Sequence, residues 1–116
     1  MNQKPQFDFM NSTLFRPLIV PAKTAVLLVF VPNSIKQQAA VNQALEQVGK
    51  ELGESIRITR VDGIIHPEVV LSFGIQRLPS FVLLKHGIEI WRYNGLPDAE
   101  ELIGHLTTQL QEEAKG

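Results

Sequence analysis

Residues 25–31 read AVLLVFV, a run that is apolar at every position and rich in β-branched side chains. A strand that is apolar on both faces is typical of the middle of a parallel sheet with helices packed on each side. Pro32 and Asn33 follow the run and end it. The segment therefore predicts a central, fully buried strand, and the rest of the chain can be placed around it.

The residues that follow predict an amphipathic helix from Ser34 to Gly53. Ser34 and Gln37 have the S-x-x-Q spacing of a capping box, in which each side chain satisfies the other residue's backbone donor. Gly53 is a suitable C-terminal stop. Apolar side chains recur at steps of four, three and four, as on one face of a helix. These side chains are Val41, Leu45, Val48 and Leu52.

The remainder of the chain predicts two more strands in a hairpin, one further strand and two helices. A strand ends at Asp62, and His66-Pro67 opens a short helix that stops at Gly74. Strands at 80–84 and 88–93 flank a tight turn that contains glycine, which is a hairpin signal. A final helix runs from Asp98 to about Glu113. The order β-α-β-α-β-β-α predicts an α/β sandwich around one mixed sheet.

The last strand contains the only tryptophan, Trp91. Simple alternation places Glu89, Trp91 and Tyr93 on one face of this strand and Ile88, Ile90 and Arg92 on the other. Aromatic side chains are enriched at binding hot spots, so Trp91 is a candidate interface residue. The alternative is that Trp91 packs against the terminal helix.

Length and composition predict one domain over residues 1–116 with no transmembrane segment. The N-terminal 23 residues have the least defined pattern: Phe7 and Phe9 fit an edge strand, and Ser12 fits a helix cap. Residues 114–116 are expected to form a frayed tail. The longest apolar run, 25–32, is far too short to cross a bilayer, and no secretory pattern precedes it. A cytoplasmic location is the expectation.

Charge and residue types exclude several function classes. Eleven basic and twelve acidic residues give a net charge of −1, so neither a nucleic acid nor a membrane surface is expected as a partner. The chain has no cysteine, which excludes disulfides and thiol chemistry. His66, His86 and His105 lack metal-ligand spacing, and no glycine-rich phosphate loop is present. No catalytic residues, metal or cofactor are predicted.

The segment Phe73-Gly74-Ile75-Gln76-Arg77-Leu78-Pro79-Ser80 resembles the aromatic-Gly-Ile-x-x-Ile-Pro-Thr segment of the thioredoxin family, in which the proline is cis. Lys85-His86-Gly87 is similar to the family's Lys-Asn-Gly turn, and Gly95 matches the glycine after its last strand. His66-Pro67 resembles the Asn-Pro that opens its third helix, although the segment from Asp62 to Gly74 is slightly longer here. The resemblance covers about residues 7–112 and implies a thioredoxin-like three-layer sandwich with a mixed sheet of four to five strands flanked by helices.

The departures from this resemblance fall at the family's active site. Ile35 and Gln38 occupy the positions of the two cysteines of the Cys-x-x-Cys motif, and neither side chain supports thiol exchange. Val29 replaces the buried aspartate, and Ile58 replaces the lysine near it. The two usual tryptophans are also replaced, here by Val31 and Ser34. The chain is therefore interpreted as a natural, redox-inactive member.

The resemblance also implies a groove in which an extended partner peptide would pair with the backbone beside Pro79. Its residues are Asn33, Ser34, Ile35, Lys36, Leu78, Pro79, Tyr93, Asn94 and Gly95. The first hypothesis is a non-catalytic module that binds a protein or extended peptide, as an adaptor, assembly factor or chaperone-like domain. The alternatives are a redox-homeostasis protein that acts only with a thiol-bearing partner, and a domain that self-associates through Trp91 and an edge strand. A purely structural role of Pro79 is also open.

Overall fold

The computed structural model describes the backbone of residues 24–115 and the side chains of residues 24–111. The strands are β1 (Ala25–Phe30), β2 (Ile56–Val61), β3 (Ser80–Lys85) and β4 (Ile88–Asn94). The helices are α1 (Ile35–Leu52), α2 (Pro67–Ser72) and α3 (Ala99–Lys115), with a short 3-10 turn at Gly53–Ser55. The predicted order of strands and helices is confirmed. The predictions for Phe7, Phe9 and Ser12 lie outside the described residues.

The sheet is mixed, with strand order β2-β1-β3-β4. β1 lies parallel to β2 and antiparallel to β3, and β3 and β4 form the hairpin. Five of the six side chains of β1 are buried. The prediction of a central buried strand is therefore confirmed, and so is the mixed sheet. The hairpin turn consists of His86 and Gly87, both with positive φ (54° and 76°), which suits the twist of antiparallel strands.

Side chains that alternate along β1 divide the core into two layers. Leu27 and Val29 face the layer that contains α1 and α3, whereas Leu28 and Phe30 face the layer that contains α2. The Phe30 ring packs 5.9 Å from the ring of Phe73, which follows α2. Helices thus cover both faces of the sheet, as expected for a three-layer sandwich.

Helix α1 begins and ends at the residues that the sequence predicts. The Gln37 backbone N–H donates to Ser34 Oγ at 3.3 Å, which caps the N-terminus. Gly53 follows the last residue with φ of 51°, a left-handed conformation that favours glycine. Of the predicted apolar stripe, Val41, Leu45 and Val48 are buried. No helix among residues 24–115 combines the length and apolarity needed to cross a membrane.

A β-bulge in β4 overturns the predicted division of its two faces. Trp91 pairs with Leu83 but Glu89 pairs with Leu84, so Ile90 is an extra residue in the ladder. Glu89 consequently points to the same side as Arg92 and forms a bidentate ion pair with it (2.8 and 2.9 Å). Ile90 packs instead with Trp91 on the side of α1 and α3. Ile88, which pairs with Lys85, likewise lies on the side of Trp91 and not on that of Arg92. Alternation was wrong for Ile88, Glu89 and Ile90 because it assumes an uninterrupted ladder.

Candidate functional site

Four strand ends meet at one end of the sheet. Val61 of β2 pairs with Phe30 of β1, Phe30 pairs with Ser80 of β3, and Ser80 pairs with Asn94 of β4. We call this row of four residues the site end. The segments that follow β1, β2 and β4, and the segment that precedes β3, all extend from it. The register therefore brings the predicted groove segments 33–36, 78–79 and 93–95 to one place.

The first of these segments is the start of α1. Asn33, Ser34, Ile35 and Lys36 are all exposed, and the Ile35 side chain is 83% exposed. Gln38 is partly buried, and its Nε2 donates to the carbonyl oxygen of Pro32 at 2.9 Å. The two positions that would carry the cysteines thus hold an apolar side chain in solvent and an amide that fixes the loop after β1.

The second segment precedes β3, and it is joined to the end of β4 by hydrogen bonds. The Leu78–Pro79 peptide bond is cis, Pro79 is buried and Leu78 is 38% exposed. The Gly95 N–H donates to the Pro79 carbonyl oxygen at 2.8 Å. The hydroxyl of the fully buried Ser80 donates to the Arg77 carbonyl oxygen at 2.6 Å and lies 2.9 Å from Asn94 Oδ1.

Trp91 and Tyr93 pack against α3 with His105. The Trp91 ring lies 5.6 Å from the His105 ring and 6.1 Å from the Tyr93 ring, and Tyr93 lies 6.1 Å from His105. The Tyr93 hydroxyl donates to Glu101 Oε1 at 3.3 Å. Trp91 is partly buried and pairs in the middle of β4, away from the site end. Its position matches the alternative interpretation, in which Trp91 packs against the terminal helix.

Titration of Tyr93 provides a test of this cluster. Partial burial, together with the carboxylates of Glu101 and Asp98, raises the pKa of Tyr93 above its usual value. Tyr93 is the only tyrosine, so phenolate absorbance follows it alone. We expect Glu101→Gln to lower the midpoint toward the ordinary value, and the matched control Glu100→Gln to leave it unchanged.

The sign of the linked stability effect follows from the raised pKa. The folded chain holds the tyrosine proton more tightly than the unfolded chain does. This contribution to the free energy of unfolding is therefore present below the unfolded tyrosine's pKa. It is lost as the pH rises through the folded value. A midpoint that does not move in Glu101→Gln would contradict the contact between Tyr93 and Glu101.

Three exposed apolar side chains at the site end were missed by the sequence analysis. They are Ile64 (81% exposed), Ile65 (67%) and Leu96 (44%). Asp62 holds the turn, because its Oδ1 accepts from the N–H of Ile64 (2.8 Å) and of Ile65 (3.4 Å). The extra length between Asp62 and Gly74 was the available signal. We call Ile35, Ile64, Ile65, Leu78 and Leu96 the apolar rim.

A cavity of about 420 Å³ lies beside the start of α1. Its lining residues come from α1, from the end of β2 and from the residues just after β1 and β2. They are Val31, Gln38, Val41, Asn42, Arg60 and Asp62. At this cavity the Arg60 Nε donates to Asn42 Oδ1 at 3.1 Å, which links β2 to α1. Val31 stands where the resemblance implies a tryptophan, which is a larger side chain.

The interior beneath the site end offers little acid–base chemistry. Val29 is fully buried and Ile58 is partly buried, and both pack in the apolar cluster beside α1 and α3. Among the described residues, no three His, Asp or Glu side chains come together as a metal site. The chain has no cysteine. Its own side chains therefore cannot perform thiol–disulfide exchange.

Comparison with known proteins agrees with this architecture. A thioredoxin-like protein of Synechocystis sp. is 37% identical over 62 residues, which is 53% of this chain and 59% of that protein. Thioredoxin-2 of a malaria parasite superposes with a TM-score of 0.68 at 20% identity, covering 73% of this chain and 82% of that one. The chain has a thioredoxin-like fold. Fasciola hepatica thioredoxin superposes similarly, with a TM-score of 0.65 at 20% identity over 75% of this chain and 82% of that one.

These matches establish the fold of the chain. No protein-family model matches the chain. The chain spans 59% of the length of the Synechocystis protein, and at 20% identity the solved structures establish the fold alone. The thioredoxin-like fold without the Cys-x-x-Cys motif is thus established, and the use of its site end is a matter for proposal.

Proposed function

We propose that this thioredoxin-like protein is a non-catalytic binding module, an adaptor, assembly factor or chaperone-like domain that holds an extended segment of a partner protein at the site end. One observation supports this most strongly. Seven large apolar side chains are conspicuously exposed in the described part of the chain, and the five of the apolar rim lie at the site end. Clustered exposed apolar side chains mark interaction surfaces, whereas single ones are ordinary.

The backbone at Leu78 offers a pairing site beside this rim. Within residues 24–115, no hydrogen bond engages the N–H or the carbonyl oxygen of Leu78. An extended peptide can pair with such groups as an added strand, while its side chains contact the rim. The partner would gain backbone hydrogen bonds from Leu78 and apolar contacts from Ile35 and Leu96.

The same residues give no support to a catalytic role. Ile35 and Gln38 carry no nucleophile, and Val29 and Ile58 provide no buried acid or base beneath them. Self-association through Trp91 also receives less support, because its ring is already packed against His105 of α3. The binding role is the function that the exposed groups can perform.

The test compares Leu78→Asp with Ile88→Asp. Both replace an exposed apolar residue by a charge, but Ile88 lies next to the hairpin turn at the opposite end of the sheet. A partner would be captured from lysate by the wild-type chain and purified, and its dissociation constant would be measured with each variant. We expect Leu78→Asp to weaken binding by at least about tenfold, the effect of losing a hot spot, and Ile88→Asp to have no effect.

Circular dichroism of both variants must match that of the wild type for this comparison. Equal affinity of all three proteins for the captured partner would refute binding at the site end. If the wild-type chain retained no partner, the binding role itself would be refuted.

A further inference from the structure

Asn94 and Gly95, at the end of β4, form the only asparagine–glycine pair in the chain. An asparagine deamidates most readily when glycine follows it, because the absence of a Cβ leaves the glycine nitrogen free to approach the asparagine side chain. Asn94 is exposed, so water reaches its amide group. The site end therefore contains a residue pair that can change its charge without an enzyme.

The reaction uses the Gly95 backbone nitrogen as its nucleophile. After this nitrogen loses its proton to solvent, it attacks Asn94 Cγ and closes a five-membered succinimide ring, and the side-chain nitrogen leaves as ammonia. One water molecule then opens the ring at either of its two carbonyl groups, which yields aspartate or isoaspartate. The net change converts an amide and water into a carboxyl group and ammonia, with no oxidation or reduction.

Two features of the folded chain hold the Gly95 nitrogen away from Asn94 Cγ. β4 continues through Asn94, and an extended backbone directs the following nitrogen away from the residue's own side chain. The Gly95 N–H also donates to the Pro79 carbonyl oxygen at 2.8 Å, so its proton is engaged. The attack therefore requires this hydrogen bond to break and the backbone to rotate, which is a local opening of the site end.

The product of the reaction would change the contacts of Ser80. The hydroxyl of this fully buried residue has one proton, which it donates to the Arg77 carbonyl oxygen at 2.6 Å, and it lies 2.9 Å from Asn94 Oδ1. A carboxylate accepts a hydrogen bond about twice as strong as a neutral amide does, so a carboxylate at position 94 would compete for this proton. Isoaspartate would also lengthen the main chain at the residue that pairs with Ser80.

We propose that Asn94 is a deamidation site that reacts only when the site end opens, and that the new carboxylate loosens the segment before β3. The reaction does not reverse, so the fraction of deamidated chains measures how much of the time the site end has been open. This inference goes beyond the proposed function and does not depend on what binds at the site end.

The first experiment compares the deamidation rate of the full wild-type chain in native buffer and in guanidinium chloride at the same pH. Trypsin releases residues 93–115 as one peptide in which Asn94 is the only asparagine, and mass spectrometry measures its conversion. We expect Asn94 to react at least about tenfold more slowly in the native chain, which corresponds to an opening free energy of about 1.4 kcal/mol or more. Equal rates would overturn the proposal.

Ser80→Ala tests whether the opening is local. The matched control is Ser34→Ala, which removes the cap of α1 and leaves the contacts of Asn94 in place. We expect Ser80→Ala to raise the native rate about fivefold, the effect of losing one hydrogen bond, and Ser34→Ala to leave it within about twofold. An unchanged rate in Ser80→Ala, or an equal rise in both variants, would overturn the local opening. Circular dichroism checks folding, and the wild-type comparison needs no variant.

Asn94→Asp reproduces the aspartate product and tests its effect on the site end. Hydrogen exchange of the Gly95 amide reports the bond to Pro79. We expect exchange about fivefold faster in Asn94→Asp, because the Ser80 hydroxyl no longer holds the Arg77 carbonyl. Asn33→Asp makes the same charge change in the segment before α1 and should leave the Gly95 exchange within about twofold. Equal exchange in Asn94→Asp and the wild type would overturn the loosening.

Discussion

Replacing Val29 by aspartate is expected to lower the free energy of unfolding by about 3–5 kcal/mol at neutral pH, because it buries a charge without a partner. Val29 is fully buried in β1, the central strand, and packs in the cluster beside α1 and α3. The resemblance to thioredoxin places a buried aspartate here, yet Ile58 replaces the lysine that would accompany it. This position therefore has neither the aspartate nor the lysine that would accompany it.

The pH dependence of the stability deficit of Val29→Asp shows whether the deficit comes from the buried charge or from the changed shape of the side chain. Desolvation would raise the folded pKa of the introduced carboxyl above its unfolded value of about 3.9. The folded state would then bind the proton more tightly, so the stability deficit of Val29→Asp should shrink as the pH falls through the folded value. Val29→Asn has nearly the same shape and no charge, so its deficit should not vary with pH.

Urea denaturation at a series of pH values checks both variants. A deficit below about 1 kcal/mol for Val29→Asp at neutral pH would mean that water or a polar group reaches this position, contrary to the apolar interior described above.

The elements of this fold could be predicted from sequence where the signal is local. The apolar run of β1, the Ser34 cap and the Gly53 stop each act over a few residues, and the structure confirms all three. The succession of strands and helices along the chain followed from the same local signals, and the fully apolar strand indicated helices on both faces of the sheet. Local physical chemistry was sufficient for these features.

The features that were missed depend on pairing between distant segments. The bulge at Ile90 is a property of the register between β3 and β4, and nothing in residues 88–93 marks it. Ile64 and Ile65 look like loop residues in sequence. Only the pairing of Val61 with Phe30 brings them to the same end of the sheet as Ile35. The candidate site was therefore predicted by resemblance, and its apolar rim was visible only in the structure.

Replacing Gly95 or Gly104 by alanine should change the free energy of unfolding in opposite directions. An added Cβ would meet no atom within 4 Å at either Gly95 or Gly104. Gly95 has φ of 107°, a conformation that L-residues rarely adopt, so Gly95→Ala should lower the free energy of unfolding by about 1–3 kcal/mol. Gly104 is an exposed position inside α3, so Gly104→Ala should raise it by about 0.5–1 kcal/mol.

The comparison isolates backbone conformation, because neither substitution creates a clash. The Gly95 N–H donates to the Pro79 carbonyl oxygen, so a change of φ at Gly95 would also disturb the loop that presents Leu78. Chemical denaturation measures both variants. If Gly95→Ala were as stable as the wild type, residue 95 would not be held at this φ in solution. A loss of stability from Gly95→Ala, alongside a gain from Gly104→Ala, would show that the site end is held in place by backbone geometry.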